Sequence, residues 1–330
     1  MGIMAVISRL YRAIMALENA TLSSDHVPGA PSGLLDPAAL GRISRLELVA
    51  RQFMDGYVQG LHRSNHLGFA IDFAQHRQYV PGDDIKRIDW RVFAKADRYY
   101  IKQYEVNTNL QAHIVLDVSG SMNYRGVDEP LSKIRYGQFL ATCLAYLALR
   151  QQDSVGLITL DNQIRKFIPP RSAPSHLMNI TTALEESESG GESSLAPRLH
   201  EVAERLGHRG LVILISDCFE KSDDLIEALH HFRHRRHELL LLQVMADDEI
   251  NFPFRKWTLF ENLERGGHHL RLDPALVRAR YMAKLREHLT AIHEATNALR
   301  ISRSVLNTRQ PFDQALTAYL AQRMYERHSR

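Results

Sequence analysis

The sequence predicts an α/β fold with a doubly wound, mostly parallel sheet and helices on both of its faces. Four short apolar runs are continuous rather than alternating, as expected for strands that are buried on both faces. Segments with helical spacing separate these runs, so that strand and helix alternate along the chain. The four runs are HIVLDV at 113–118, VGLITL at 155–160, LVILIS at 211–216 and LLLLQV at 239–244.

The N-terminal segment 1–34 is expected to form a short amphipathic helix followed by a linker rich in Ser, Pro and Gly. Arg9, Arg12 and Glu18 interrupt its apolar run, whereas a membrane-spanning helix needs about 20 apolar residues. No transmembrane segment is therefore predicted. The helix is expected to pack on the body of the protein rather than on a membrane surface.

Residues 35–110 form a second predicted region. Helical spacing extends from Leu35 to Gly60, and aromatic and polar residues then alternate around a turn at Pro81-Gly82. This region is therefore expected to contain one helix followed by strands and tight loops.

The remaining residues, 111–330, are predicted to form the domain that contains the sheet. A last strand is expected at 299–306, followed by a last helix that begins at Pro311. Helices between the apolar runs are expected at 131–150, 195–206 and 222–236.

Residues 246–298 interrupt the alternation and are interpreted as an insertion before the last strand. A hairpin is expected around Gly266-Gly267, followed by a long helix over 274–298. Apolar residues spaced by three and four predict one buried stripe on this helix, made of Val277, Met282, Leu285, Leu289, Ile292 and Leu299.

The charge balance does not indicate a polyanionic partner. With 41 Lys and Arg against 38 Asp and Glu, the net charge is +3, too small to imply nucleic acid or an anionic membrane. The basic run at 230–237 lies at a predicted helix C-terminus, where cations complement the helix dipole. Only two cysteines, Cys143 and Cys218, are present, so a reducing compartment, the cytoplasm, is the expected location.

Polar side chains follow two of the predicted strands. Asp117, Ser119 and Ser121 come at the end of the first run, and Asp217 follows the third. Loops at the carboxyl ends of parallel strands meet at one edge of a sheet. A carboxylate with two hydroxyls there is a partial shell of oxygen ligands suited to Mg²⁺. In the alternative interpretation, which spacing by itself slightly favours, these residues only cap their own turns.

The string Asp-Val-Ser-Gly-Ser-Met at 117–122 resembles the metal-ion-dependent adhesion site of von Willebrand factor A domains. In that family a further loop supplies a Thr and another an Asp. The resemblance assigns Asp217 to the Asp position and Ser193 to the Thr position, with Ser194 as an equal alternative. It implies a von Willebrand factor A-like domain that binds Mg²⁺.

Residues 77–105, called the signature block here, resemble the bacterial family named domain of unknown function 58. Their sequence is RQYVPGDDIKRIDWRVFAKADRYYIKQYE. HLGF before it, and KIRY and QQDSVGL after it, extend the resemblance over roughly residues 35–325. The resemblance implies a protein-binding or adaptor role, with a MoxR-type AAA+ ATPase as the implied partner. Within the block, Trp90 is interpreted as a buried anchor of a structural clamp in preference to a docking surface.

Enzymatic interpretations are weaker. No phosphate-binding loop and no dinucleotide-binding glycine pattern is present, and Ser119 lacks the G-x-S-x-G context of a hydrolase. The rival that remains is a Mg²⁺-dependent phosphohydrolase with Asp117 as nucleophile. Phosphatases of the haloacid dehalogenase type normally place a second Asp two residues on, where this chain has Ser119. The resemblance to the adhesion site therefore implies a non-enzymatic protein that offers a bound metal ion to a carboxylate of its partner.

Overall fold

The structure is a computed structural model. It describes residues 111–310, apart from 128, 189, 191–193, 208, 262 and 264–268, and before them only parts of 46–54, 76–78 and 100–102. The predictions for segment 1–34, for Trp90 and most of the signature block, and for the last helix from Pro311 lie outside the described residues.

The described part contains ten strands and, from residue 111 onward, six α-helices. The strands are β1 (His76–Gln78), β2 (Tyr100–Lys102), β3 (Gln111–Asp117), β4 (Ser154–Leu160), β5 (Ile164–Arg171), β6 (Leu211–Ser216), β7 (Glu238–Met245), β8 (Thr258–Glu261), β9 (His269–Leu272) and β10 (Ser302–Asn307). The helices are α1 (Lys133–Arg150), α2 (His176–Glu185), α3 (Leu195–Arg205), α4 (Ser222–His234), α5 (Asp247–Asn251) and α6 (Pro274–Ala298).

The main sheet has six strands in the order β10-β7-β6-β3-β4-β5. All neighbours pair in parallel except β4 and β5, which are antiparallel. The four apolar runs are the four central strands β3, β4, β6 and β7, and the predicted last strand is the edge strand β10. The predicted doubly wound, mostly parallel α/β fold is confirmed.

Successive residues of the central strands face two separate apolar clusters. In β3, Ile114 and Leu116 belong to one cluster, which contains residues of α1 and α2. Val115 belongs to the other, which contains residues of α3, α4 and α6. Because both faces are covered, each strand is mostly apolar, which explains the continuous runs in the sequence. Gly137 lets α1 approach β3 closely, since a Cβ there would lie 2.9 Å from Leu116 Cδ1.

The antiparallel strand β5 has no counterpart among the predicted elements. Its sequence, IRKFIPPR, is largely exposed and contains Pro169 and Pro170, which is acceptable only on an edge strand. Gly156 of β4 lies directly against it, because a Cβ at that position would lie 2.6 Å from the carbonyl oxygen of Ile168.

The insertion contains the predicted hairpin and the predicted long helix. Strands β8 and β9 pair antiparallel, and α6 begins at Pro274 with the Asp273 side chain accepting from the backbone N–H of Ala275. The predicted buried stripe of α6 is only partly correct. Leu285 and Ile292 are buried. The other four positions are only partly buried: Val277, Met282, Leu289 and Leu299.

His113 of β3 gives the fold an expected acid sensitivity. Its ring is buried, Nδ1 has no hydrogen-bond partner among the described residues, and burial, with a smaller contribution from His237, lowers its pKa from 6.5 to about 4. Between these two values the unfolded chain binds more protons than the folded protein. The contribution of His113 to stability should therefore be lost as the pH falls from about 6.5 to 4, by up to about 1.4 kcal/mol per pH unit.

Urea denaturation at several pH values tests this expectation. His113→Leu should flatten the dependence, whereas His234→Gln, at an exposed position, should leave it unchanged. An equally steep loss in His113→Leu would contradict it.

Candidate functional site

The candidate site lies where the order of strands reverses. The chain runs from β3 to β4 on one side, whereas β6 pairs with β3 on the other side. In doubly wound sheets such a reversal opens a crevice at the carboxyl ends of the two strands, where ligands bind. Asp117 is the last residue of β3, and Asp217 directly follows β6. The two carboxylates therefore lie at the same edge of the sheet, on neighbouring strands.

The loop after β3 brings three of the predicted side chains together. Asp117 Oδ1 accepts from the backbone N–H of Ser119 at 2.9 Å, and Oδ2 accepts from Ser216 Oγ at 2.6 Å. A short 3₁₀ turn at Gly120–Asn123 follows and places Ser121 Oγ 3.1 Å from Ser119 Oγ. The bond to Ser119 N–H is the turn-capping interaction that the alternative interpretation expected. It leaves one lone pair on Oδ1 for a further ligand.

The pKa of the Asp117 carboxyl group is raised. Its side chain is buried, and burial together with the nearby Asp217 carboxylate raises its pKa from 3.8 to about 7, although hydrogen bonds from Ser216 and Ser119 oppose the shift. Two carboxylates close together in a poorly solvated place repel each other. A cation is the natural means of relieving that repulsion.

A buried lysine already contacts one of these carboxylates. Lys133 Nζ, at the start of α1, donates to Asp217 Oδ2 at 2.8 Å and to Glu249 Oε1 of α5 at 2.6 Å. The Lys133 side chain is fully buried. Burial acts against its charged form, but the carboxylates of Asp217 and Glu249 outweigh this and raise the pKa of the ammonium group. The three residues, called the lysine triad here, adjoin the Asp117 loop.

Sequence reasoning assigned no role to Lys133 and Glu249. Lys133 belongs to the KIRY string, and its signal was a charged residue at the first turn of an otherwise apolar helix. Glu249 lies in a short acidic helix within the predicted insertion and carried no signal of its own.

Two further side chains fix the loop that carries Asp217. Gln243 Nε2 donates to the Asp217 carbonyl at 3.0 Å, and Arg303 holds Gln243 Oε1 at 2.6 Å. His288 Nε2 of α6 lies 2.9 Å from the carbonyl oxygen of Cys218, a residue with φ of 59°. Cys218 itself is buried, as expected for a small core residue.

The loop before α3, which contains Ser193 and Ser194, meets the same edge of the sheet. Gly190 N–H donates to the carbonyl of Val118 at 3.2 Å, and Ala196 N–H, at the start of α3, donates to Glu220 Oε2 at 2.6 Å. Ser193 lies outside the described residues. Ser194 is the N-cap position of α3 and its side chain makes no capping hydrogen bond, so the choice between Ser193 and Ser194 as ligand stays open.

The donor set fits a hard divalent cation with one departure. Carboxylate and hydroxyl oxygens are the ligands that Mg²⁺ takes, and Asp117, Ser119 and Ser121 present them around one turn. The departure is Asp217, whose Oδ2 is bound by Lys133. Within the described ranges, no three or more His, Cys, Asp or Glu side chains group as a metal site. The assignment of Asp117, Ser119, Ser121 and Asp217 as metal ligands therefore stays a prediction, and it needs the serine hydroxyls as well as the carboxylates.

Comparison with known families gives one match over most of the fold. The family described as "Protein of unknown function DUF58" matches residues 75–291. The chain belongs to this family. The resemblance expected from the signature block and the strings after it is confirmed, and the family's description assigns no activity.

Curated relatives of this DUF58 chain include two mycobacterial proteins described as uncharacterized. Proteins of Mycobacterium tuberculosis (strain H37Rv) and Mycobacterium bovis are each 23% identical to it over 256 residues. In both cases the match covers 76% of this chain and 80% of the relative.

Two solved structures match parts of this chain with low TM-scores. The hypothetical protein BatB from Bacteroides thetaiotaomicron has a TM-score of 0.42 and 13% identity, over 66% of this chain and 99% of BatB. The SpRpn10 VWA domain has a TM-score of 0.36 and 11% identity, over 61% of this chain and 89% of that domain. Neither likeness assigns a function to this chain. Within the described residues, no helix has the length and apolar character needed to cross a membrane.

Proposed function

We propose that this DUF58 protein is a non-enzymatic protein-binding or adaptor protein whose contact with its partner depends on a divalent cation, Mg²⁺. The observation that carries the proposal is the environment of Asp117. Its buried carboxylate lies beside Asp217 with its pKa raised, and two serine hydroxyls face each other on the turn that follows it. This arrangement of oxygens and negative charge favours a hard cation.

The residues that would hold the ion are Asp117, Ser119, Ser121 and Asp217, with Ser193 or Ser194 from the third loop. When bound, the cation supplies an electrophilic centre for a carboxylate oxygen of the partner. Ser216 orients Asp117 through a 2.6 Å hydrogen bond. Phe219 N–H donates to Asp217 Oδ1 at 3.2 Å and, with Lys133 on Oδ2, fixes the second carboxylate.

The family resemblance is the basis for the proposed class of partner. A MoxR-type AAA+ ATPase that offers a carboxylate to the metal ion is the partner proposed here, and the cytoplasm is the proposed location. Cys143 and Cys218 are both buried free thiols, which agrees with a reducing compartment.

Calorimetric titration with Mg²⁺ and with Mn²⁺ tests the metal site. Wild type should bind one ion, and Asp117→Ala should stay folded and lose at least 100-fold in affinity, because a charged ligand is removed. Asp161→Ala is the matched control, since Asp161 is also buried but pairs with Arg165 of β5 at 2.6 Å. Equal affinity in wild type and Asp117→Ala would contradict the proposal.

Capture of a MoxR-type ATPase, with Mg²⁺ and with EDTA, tests the binding role. Capture should be lost in EDTA and in Asp117→Ala. The rival phosphohydrolase predicts turnover of a generic phosphate ester that disappears in Asp117→Ala. That turnover, or equal capture with and without EDTA, would overturn the proposed function.

A further inference from the structure

We propose that Lys133 is a built-in counter-cation that limits how tightly this edge of the sheet binds a divalent ion. The inference rests on the proposed function, because it concerns the same site. In the proposed arrangement, the ammonium group neutralises part of the negative charge of the crevice. A divalent ion then binds weakly enough to be exchanged.

The contacts of Lys133 place its charge inside the site rather than beside it. The ammonium group bonds to Asp217 Oδ2, a predicted metal ligand, at 2.8 Å. Its side chain is 0% exposed, so water screens the charge very little. The ring centroids of Phe219 and Tyr124 lie 4.9 Å and 5.9 Å from Nζ, within the range of cation–π attraction.

Glu249 keeps the ammonium group in this position. Its Oε1 accepts from Lys133 at 2.6 Å, and its Oε2 accepts from the backbone N–H of Ala246 at 2.8 Å. The Glu249 carbonyl in turn accepts from Tyr281 Oη of α6 at 2.8 Å. Residues of the predicted insertion therefore hold the lysine through its second carboxylate contact.

The charge balance gives the direction of the effect. Asp117, Asp217 and Glu249 contribute three carboxylates, and Lys133 contributes one ammonium group. Without the lysine, a divalent ion would meet a more negative crevice and a carboxylate of Asp217 with a vacant lone pair. Without Glu249, the ion would meet one negative charge fewer while the ammonium group remains. Opposite changes in metal affinity follow from these two substitutions.

Mn²⁺ titration of the full chain, followed by calorimetry, tests the inference with three variants. Lys133→Met should bind Mn²⁺ at least tenfold more tightly than wild type and show a larger metal-induced rise in Tm. Glu249→Gln should bind at least threefold more weakly. Lys166→Met is the control, because Lys166 pairs with Glu186 at 3.1 Å on the surface, and its affinity should equal that of wild type.

The outcomes distinguish failure of the inference from failure of the proposed function. If wild type binds Mn²⁺ and Lys133→Met binds no more tightly, the inference is wrong and the proposed function stands. Binding by Lys133→Met but not by wild type would support the inference and contradict the proposed function. If no variant binds, both are wrong. Should Lys133→Met not fold, an unchanged affinity in Glu249→Gln overturns the inference.

Discussion

Lys133→Met is expected to lower the free energy of unfolding of the metal-free protein by about 3–5 kcal/mol. The substitution leaves the carboxylates of Asp217 and Glu249 without the ammonium group that both contact. Removing one partner of a buried ion pair is costly because the remaining charges stay desolvated. Urea denaturation in EDTA measures the effect.

Two variants make this stability experiment specific. Lys166→Met, which breaks an exposed pair with Glu186, should cost no more than about 1 kcal/mol. The double variant Lys133→Met with Glu249→Gln should lose less than the sum of its single substitutions, since it removes a carboxylate that would otherwise be unpaired. A Lys133→Met protein as stable as wild type would show that the lysine triad does not stabilise the fold.

Asp117→Asn is expected to stabilise the metal-free protein, and the gain should depend on pH. The pKa of Asp117 is about 7 in the folded protein, because of burial and of Asp217, against 3.8 as its ordinary value. Between these values the folded protein binds more protons than the unfolded chain. The contribution of Asp117 to wild-type stability should therefore fall as the pH rises from about 4 to 7, by up to about 1.4 kcal/mol per pH unit.

The amide introduced by Asp117→Asn does not titrate, so the difference between the variant and wild type should be small at pH 4, increase up to pH 7 and then stay constant. Thermal melts in EDTA at four pH values measure it. Asp161→Asn, which removes a buried carboxylate paired with Arg165, should give no such gain. A difference between Asp117→Asn and wild type that is the same at every pH would contradict the expectation.

Local pattern was enough to predict the central elements and to single out the polar residues that follow two of them. The strands β3, β4, β6 and β7 are buried on both faces, so burial itself produces the continuous apolar runs that identify them. Ser119 and Ser121 face each other because one short turn follows Asp117, and a turn is encoded by neighbouring residues. Asp217 could be added because parallel strands bring their carboxyl ends to one edge.

Elements with weak or misleading local patterns were missed or only partly predicted. Strand β5 is exposed and contains two prolines, so it lacks the apolar run of a buried strand. Helix α6 has a regular apolar stripe, but only Leu285 and Ile292 of that stripe are buried. A stripe predicts which face is apolar, whereas the packing of the whole helix decides how much of that face is covered.

The sequence by itself determined the α/β fold, the family and the positions of Asp117, Ser119, Ser121 and Asp217 at the ends of buried strands. Only the tertiary structure decided the electrostatics of the site. Lys133 contacts Asp217, which is 84 residues away in the sequence, and Glu249, which is 116 residues away. No periodic pattern in the sequence indicates contacts at such separations. The raised pKa of Asp117 likewise depends on burial and on Asp217 of a neighbouring strand. The interaction between charges depends on their distance in space, and desolvation depends on burial. Folding sets both.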